Sequence, residues 1–147
     1  MSRYSFFPKD DHDRYVTVVG WDPGMGSFFL QYGDVGSDLP LIFATGKRFA
    51  EHPGPGVVVA LAHHLSIRVP ADLSTQLEAD RAREGNWRDD DLPEFITFTT
   101  QADDGRELAF RWPRDRCNPE TIAAVADHII SGEAERDLNT GRTSSIQ

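Results

Sequence analysis

The stretch VVGWDPGMGSFF, Val18 to Phe29, brings Asp22, Gly24 and Gly26 together in a pattern that two different local structures would use. A dinucleotide-binding loop needs G-x-G-x-x-G between a strand and a helix, because the helix N-terminus supplies amide donors to a pyrophosphate. Here the third glycine position is Phe29, and the run that follows, SFFLQYG, is aromatic and β-prone. A P-loop is excluded as well: no G-K-[ST] occurs, and Gly46-Lys47-Arg48 lacks the hydroxyl. The stretch therefore reads as the connection of a β-hairpin, with Asp22-Pro23-Gly24 as its tight part.

The other groups capable of chemistry are scattered. Asp10, Asp11, His12 and Asp13 offer three carboxylates and an imidazole, but in a segment without periodicity. Ordering such a segment costs about 1–2 kcal/mol per residue, so a solvated charge run is expected and no metal is assigned. His63 and His64 are adjacent, whereas a zinc-binding helix wants i, i+4. Ser27 lacks the G-x-S-x-G elbow. Cys117 stands just ahead of a helix start, where the dipole, Arg114 and Arg116 would lower a thiol pKa, although no histidine has a recognisable relation to it. No catalytic residue and no cofactor follow from these patterns.

The elements that must position any site are clearer. RYVTVVGW, SFFLQYG and PLIFATG read as three strands, the first two joined by the Pro/Gly bend. EFITFTT and RELAFRW form a second hairpin around Asp104-Gly105, with Ile96, Phe98, Leu108, Phe110 and Trp112 on one face. Thr97, Thr99, Glu107 and Arg111 are then expected toward solvent. VVVALAHHLSI fits either a buried strand, on Val57 to Val59, or a helix, on Ala60, Leu61 and Ala62, and is assigned to a helix on the spacing of Val58, Leu61 and Leu65. PADLSTQLEADRARE is a second helix with a thin apolar stripe, Leu73 and Leu77, and with Glu78/Arg81 and Asp80/Arg83 pairs on its surface. Asn118 as N-cap, Pro119, and the stripe Ile122, Val125, Ile129 and Ile130 up to Gly132 mark a third. The expected fold is α+β: a mainly antiparallel sheet of about five strands, made of two hairpins plus a short strand, with two to three helices packed on one face. Residues 14–132 form the single domain, 1–13 a flexible lead-in and 133–147 a flexible polar tail.

A chain of 147 residues is long enough for one core and too short for two. Its one cysteine forms no internal disulfide, and nowhere do 18 apolar residues run together, so a cytoplasmic protein that does not enter a membrane is expected. The net charge of −9 repels nucleic-acid phosphate. Between Asp72 and Glu94, eight acids face three arginines, so the local balance is 3 − 8 = −5 and more than half of the excess sits in one helix and the loop after it.

The strand ending in GWD, the Pro/Gly turn, the FF pair and, further on, PADLSTQLEADR together resemble a group of short uncharacterised bacterial proteins, over Tyr15 to Arg83. The resemblance implies the hairpin and the helix and carries no known activity.

Three functional readings follow. The first is a non-enzymatic cytosolic interaction or accessory protein, acting through its acidic surface on another protein with a basic face. The second is an acidic inhibitor or nucleic-acid mimic encoded by a mobile element; the third is a small hydrolase or thiol enzyme using Cys117. For the first, the candidate contact residues are Trp21, Asp22 and Met25 at the hairpin bend and Trp87, Asp89, Asp90 and Asp91 in the acidic loop. Clustered charge steers association, and Trp and Met near turns make contact anchors.

Overall fold

The computed structural model describes residues 2–9, 15–34, 41–102 and 104–139. The strands are β1 (Tyr4–Phe6), β2 (Tyr15–Asp22), β3 (Ser27–Asp34), β4 (Leu41–Thr45), β5 (Phe95–Gln101) and β6 (Glu107–Pro113). The helices are α1 (Gly56–Leu65), α2 (Leu73–Glu84), α3 (Pro119–Ile130) and α4 (Glu133–Asn139). All six strands pair antiparallel with their chain neighbours, in the order β1-β2-β3-β4-β5-β6. The class is α+β, as the alternation of the strands and the spacing of the helices imply.

One row of facing residues crosses the whole sheet: Tyr4, Val19, Leu30, Thr45, Phe98 and Phe110. Side chains in such a row point to the same face. Trp21, Phe28, Tyr32, Phe43 and Ile96 share that face and join Val58, Leu61 and Ala62 of α1, Leu73 and Leu77 of α2, and Ile122, Val125, Ala126 and Ile129 of α3 in one core. The helices therefore cover one face. Each fully buried Phe, such as Phe28, Phe43 and Phe98, contributes up to about 1.5–3 kcal/mol of transfer free energy. Thr45 is the one buried polar residue in the row, and its hydroxyl has to find partners inside the core.

The ordered domain reaches further at both ends than the expected limits of 14 and 132. Tyr4–Phe6 lies in the expected lead-in, yet it pairs with Val19, Val18 and Thr17. Ser2 closes the junction, its amide donating to Trp21 O at 3.1 Å and its Oγ accepting from Trp21 N at 2.9 Å. A Cβ on Gly20 would lie 1.9 Å from Ser2 O, so only glycine lets the two backbones come this close. In the expected tail, α4 buries Ala134, while His128 of α3 contacts Glu133 at 3.1 Å and Asp137 at 3.2 Å. Residues 10–13 and 140–147 lie outside the described residues.

Two surface expectations change. Asp80 is only 2% exposed, because the Tyr4 hydroxyl donates to its Oδ2 at 2.6 Å and Arg83 to its Oδ1 at 2.6 Å. Burial raises its pKa, but hydrogen bonds from Tyr4, Arg83 and Ser2 outweigh that and hold the carboxyl below its ordinary value. Tyr4→Phe is therefore expected to cost about 1.5 kcal/mol in chemical denaturation, and a loss below about 0.5 kcal/mol would mean the bond does not secure β1. Thr97 and Thr99 are each 5% exposed and not turned to water as expected. They occupy an interior strand, where Ala44, Ala109 and Arg111 on the flanking strands crowd the same face. Glu107 and Arg111 are exposed, as alternation implies.

Candidate interaction site

Three connections meet at one end of the sheet: the β2–β3 bend, the β4–α1 loop and the segment from Gly85 to Glu94 that leads into β5. Asp22 shapes the first, its Oδ1 accepting from Gly24 N at 3.0 Å and Met25 N at 3.3 Å while Gly26 N donates to Asp22 O at 2.9 Å. Gly26 has φ +63°, and a Cβ there would meet Asn86 Oδ1 at 2.7 Å, so glycine is required on two counts. Backbone bonds then tie the bend to the other two: Trp87 N to Pro23 O at 3.0 Å, and Ala50 N to Met25 O at 2.9 Å.

The acid loop and the hairpin bend, separate in sequence, thus form one surface. Trp87 is 74% exposed on it, and Phe49 and Leu92 are also exposed. The Arg88 guanidinium lies 3.8 Å from the centroid of the Phe49 ring and bridges to Asp90 at 3.0 Å. Asp89, Asp90 and Asp91 are exposed and Met25 and Asp22 half-exposed. Trp21 does not belong to this surface. It is fully buried, with its ring against Phe28 at 4.7 Å and its Nε1 donating to Gly85 O at 2.8 Å. The alternation that put Trp21 on the same face as Val19 places it in the core, where it anchors the start of the exposed loop. Asp22 is likewise committed to the turn.

Behind this surface lies the part that sequence reading missed. Glu51 and His52 are buried, at 0% and 2% exposure. Glu51 Oε1 accepts from Gly46 N at 2.7 Å and Oε2 from Thr97 N at 3.0 Å, with Thr45 Oγ1 3.3 Å from Oε1. Because β4 ends at Thr45, the carboxylate takes the place of the next strand residue in satisfying β5. Burial raises the Glu51 pKa, opposed by those same donors. His52 is held down to about 3, by burial first and then by the charge of Arg114, so its imidazole is neutral near pH 7. The 3.7 Å approach of His52 Nε2 to Glu51 is therefore not an ion pair. Instead, Nε2 lies 2.8 Å from Thr45 Oγ1, which also reaches Thr97 O at 3.0 Å. Thr45 has a single proton to donate, so His52 Nε2–H donating to Thr45, with Thr45 donating onward to Thr97 O, accounts for both of these contacts.

This acid–imidazole pair resembles catalytic machinery only in composition. With both side chains about 1% exposed, no substrate atom reaches them. They staple the β4–α1 loop to the sheet, helped by Arg114, whose Nη2 donates to Glu51 O at 2.5 Å and whose Nε donates to Pro93 O at 2.7 Å. The basic run of residues 111–116 thus supplies a brace between the two loops, beside an open groove of about 480 Å³ formed by residues 92–95 and 113–116.

The remaining chemical candidates separate. Burial pushes the Cys117 thiol up, with Arg114 lowering and Asp115 raising it, so the expected lowering does not occur. Its Sγ points to Pro113 O at 3.4 Å. His63 is exposed, and His64 meets Asp127 of α3 at 2.8 Å. Among the described residues no three His, Cys, Asp or Glu side chains are grouped to hold a metal ion, and no helix is long and apolar enough to cross a membrane. Asp10 to Asp13 lie outside the described residues. No family model, no curated protein and no solved structure matches the chain.

Proposed function

We propose that this is a non-enzymatic, cytoplasmic interaction protein whose contact surface is the junction of the β2–β3 bend with the Gly85–Glu94 segment, and whose partner is a protein with a basic face. The observation that supports this most is Trp87: a large indole, 74% exposed, on backbone held by the hydrogen bond its amide donates to Pro23 O at 3.0 Å. An indole held in water on anchored backbone loses little freedom when a partner covers it. Exposed Asp89, Asp90 and Asp91 beside it supply the charge that selects and steers a cationic partner.

The test is capture of partners on the tagged protein from its native host at low and high salt, compared with two variants. Trp87→Ala is expected to weaken retention of a specific partner by about 2 kcal/mol, as for an interface anchor. Neutralising Asp89, Asp90 and Asp91 to asparagine is expected to lose the partner at lower salt than the wild type, while Glu120→Gln on α3 has no effect. A partner held equally by all variants, or no specific partner at either salt, contradicts the proposal.

A further inference from the structure

The two edges of the sheet are unequal. β1 offers three residues, whereas β6 offers seven, and among the described residues no strand pairs with its outer side. In an antiparallel ladder alternate residues turn both backbone groups to one neighbour. Ala102 N donates to Arg106 O at 2.8 Å, and Arg114 N to Glu94 O at 3.0 Å, so the even-numbered residues of β6 face β5. The N–H and C=O groups of Glu107, Ala109 and Arg111 therefore point outward, unpaired by the sheet. Their side chains are exposed too, and Leu108 and Trp112 on the core side are only half-covered.

Charges on an edge strand usually prevent pairing with other strands. Here they are of opposite sign and stand symmetrically about a small residue: Glu107, Ala109, Arg111. We propose that β6 pairs antiparallel with β6 of a second copy of this chain, with the two-fold axis at Ala109. Ala109 then faces Ala109, and Glu107 of each copy faces Arg111 of the other. The three facing pairs close about six backbone hydrogen bonds, and the half-covered Leu108 of one copy meets Phe110 of the other. A register shifted by one step, centred on Phe110, is disfavoured. It puts Arg111 opposite Ala109 and sets Glu107 opposite Pro113, which has no N–H to give. Glu107 also meets Lys47 of the β4–α1 loop at 3.0 Å, a contact between two exposed side chains that Arg111 of the second copy would share; the edge does not include the β2–β3 bend or Asp89 to Asp91, so the dimer would present two copies of that acidic surface to a partner.

Sedimentation velocity from about 1 to 100 µM tests the proposal, since mass action populates a dimer only above its dissociation constant. The wild type is expected to dimerise. Glu107→Arg alone and Arg111→Glu alone place like charges opposite each other, and each is expected to raise the dissociation constant about tenfold or more. An equimolar mixture of those two variants restores both opposite-charge pairs and is expected to give a heterodimer, as is the homodimer of the double exchange. Ala109→Pro removes an outward N–H without touching the β5–β6 ladder, and should yield a monomer whose thermal unfolding matches that of the wild type at concentrations below the wild-type dissociation constant. A wild type that stays monomeric throughout, or a dimer indifferent to these changes, overturns the proposal.

Discussion

Replacing Glu51 by glutamine is expected to lower stability by about 2–3 kcal/mol, a large effect for the exchange of one oxygen for an amide nitrogen. Two backbone donors converge on this side chain, Gly46 N on Oε1 and Thr97 N on Oε2. An acceptor-only carboxylate serves both. Glutamine keeps the shape but turns an NH₂ toward at least one of these donors, leaving a buried amide unsatisfied. Glu51→Ala should cost more, about 3–5 kcal/mol, because it adds a cavity. Chemical denaturation measures both, and an unchanged midpoint for Glu51→Gln would show that the carboxylate does not staple the β4–α1 loop to the sheet. The loss should also release the β4–α1 loop and with it Phe49, so amide exchange at Gly46 and Thr97 is expected to rise.

Acid is expected to act through His52. In the unfolded chain an imidazole titrates near 6.5, whereas the folded protein holds this one down to about 3. Between those values the unfolded state binds the extra proton, so the stabilisation is complete above pH 6.5 and is lost as the pH falls through this window. The full difference corresponds to on the order of 4–5 kcal/mol by linkage. Glu51 works in the opposite sense. Its raised pKa favours the folded state at low pH, with that contribution lost as the pH rises through the folded value, so it offsets part of the His52 effect. The net expectation is a fall in unfolding free energy on acidification from pH 7 to 4, made shallower in His52→Gln, which keeps a donor for Thr45 and does not titrate. Equal pH slopes in the two proteins would contradict this.

The fold was legible wherever one face of an element meets the core. Val19, Trp21, Phe28 and Leu30 announce their strands by alternation, and Ile122, Val125 and Ile129 announce α3 by spacing, because burial on one face imposes those periods. β1 was not legible, since Tyr4, Ser5 and Phe6 are too few to show a period and are held by pairing with β2 and by Asp80. Short α4 was hidden for a similar reason: one buried residue, Ala134, among charged neighbours. The acid loop was found by its charge, and the bend by its turn residues. That the two join, through Trp87 N and Pro23 O, is a tertiary fact that no local pattern contains. Glu51 and His52 were missed because EHPGPG reads as a breaker cluster, and a buried polar pair has no sequence period. The one available signal was Thr45, a hydroxyl in a position where alternation demands an apolar side chain.

The most direct measurement is the affinity of a captured partner, titrated against wild type and against the Asp89/Asp90/Asp91 triple asparagine variant over a series of salt concentrations. The account expects the wild-type affinity to fall steeply with salt, and the variant to bind more weakly at low salt with a clearly flatter dependence. Equal affinity and equal slope for both proteins would contradict an interaction through the acidic junction.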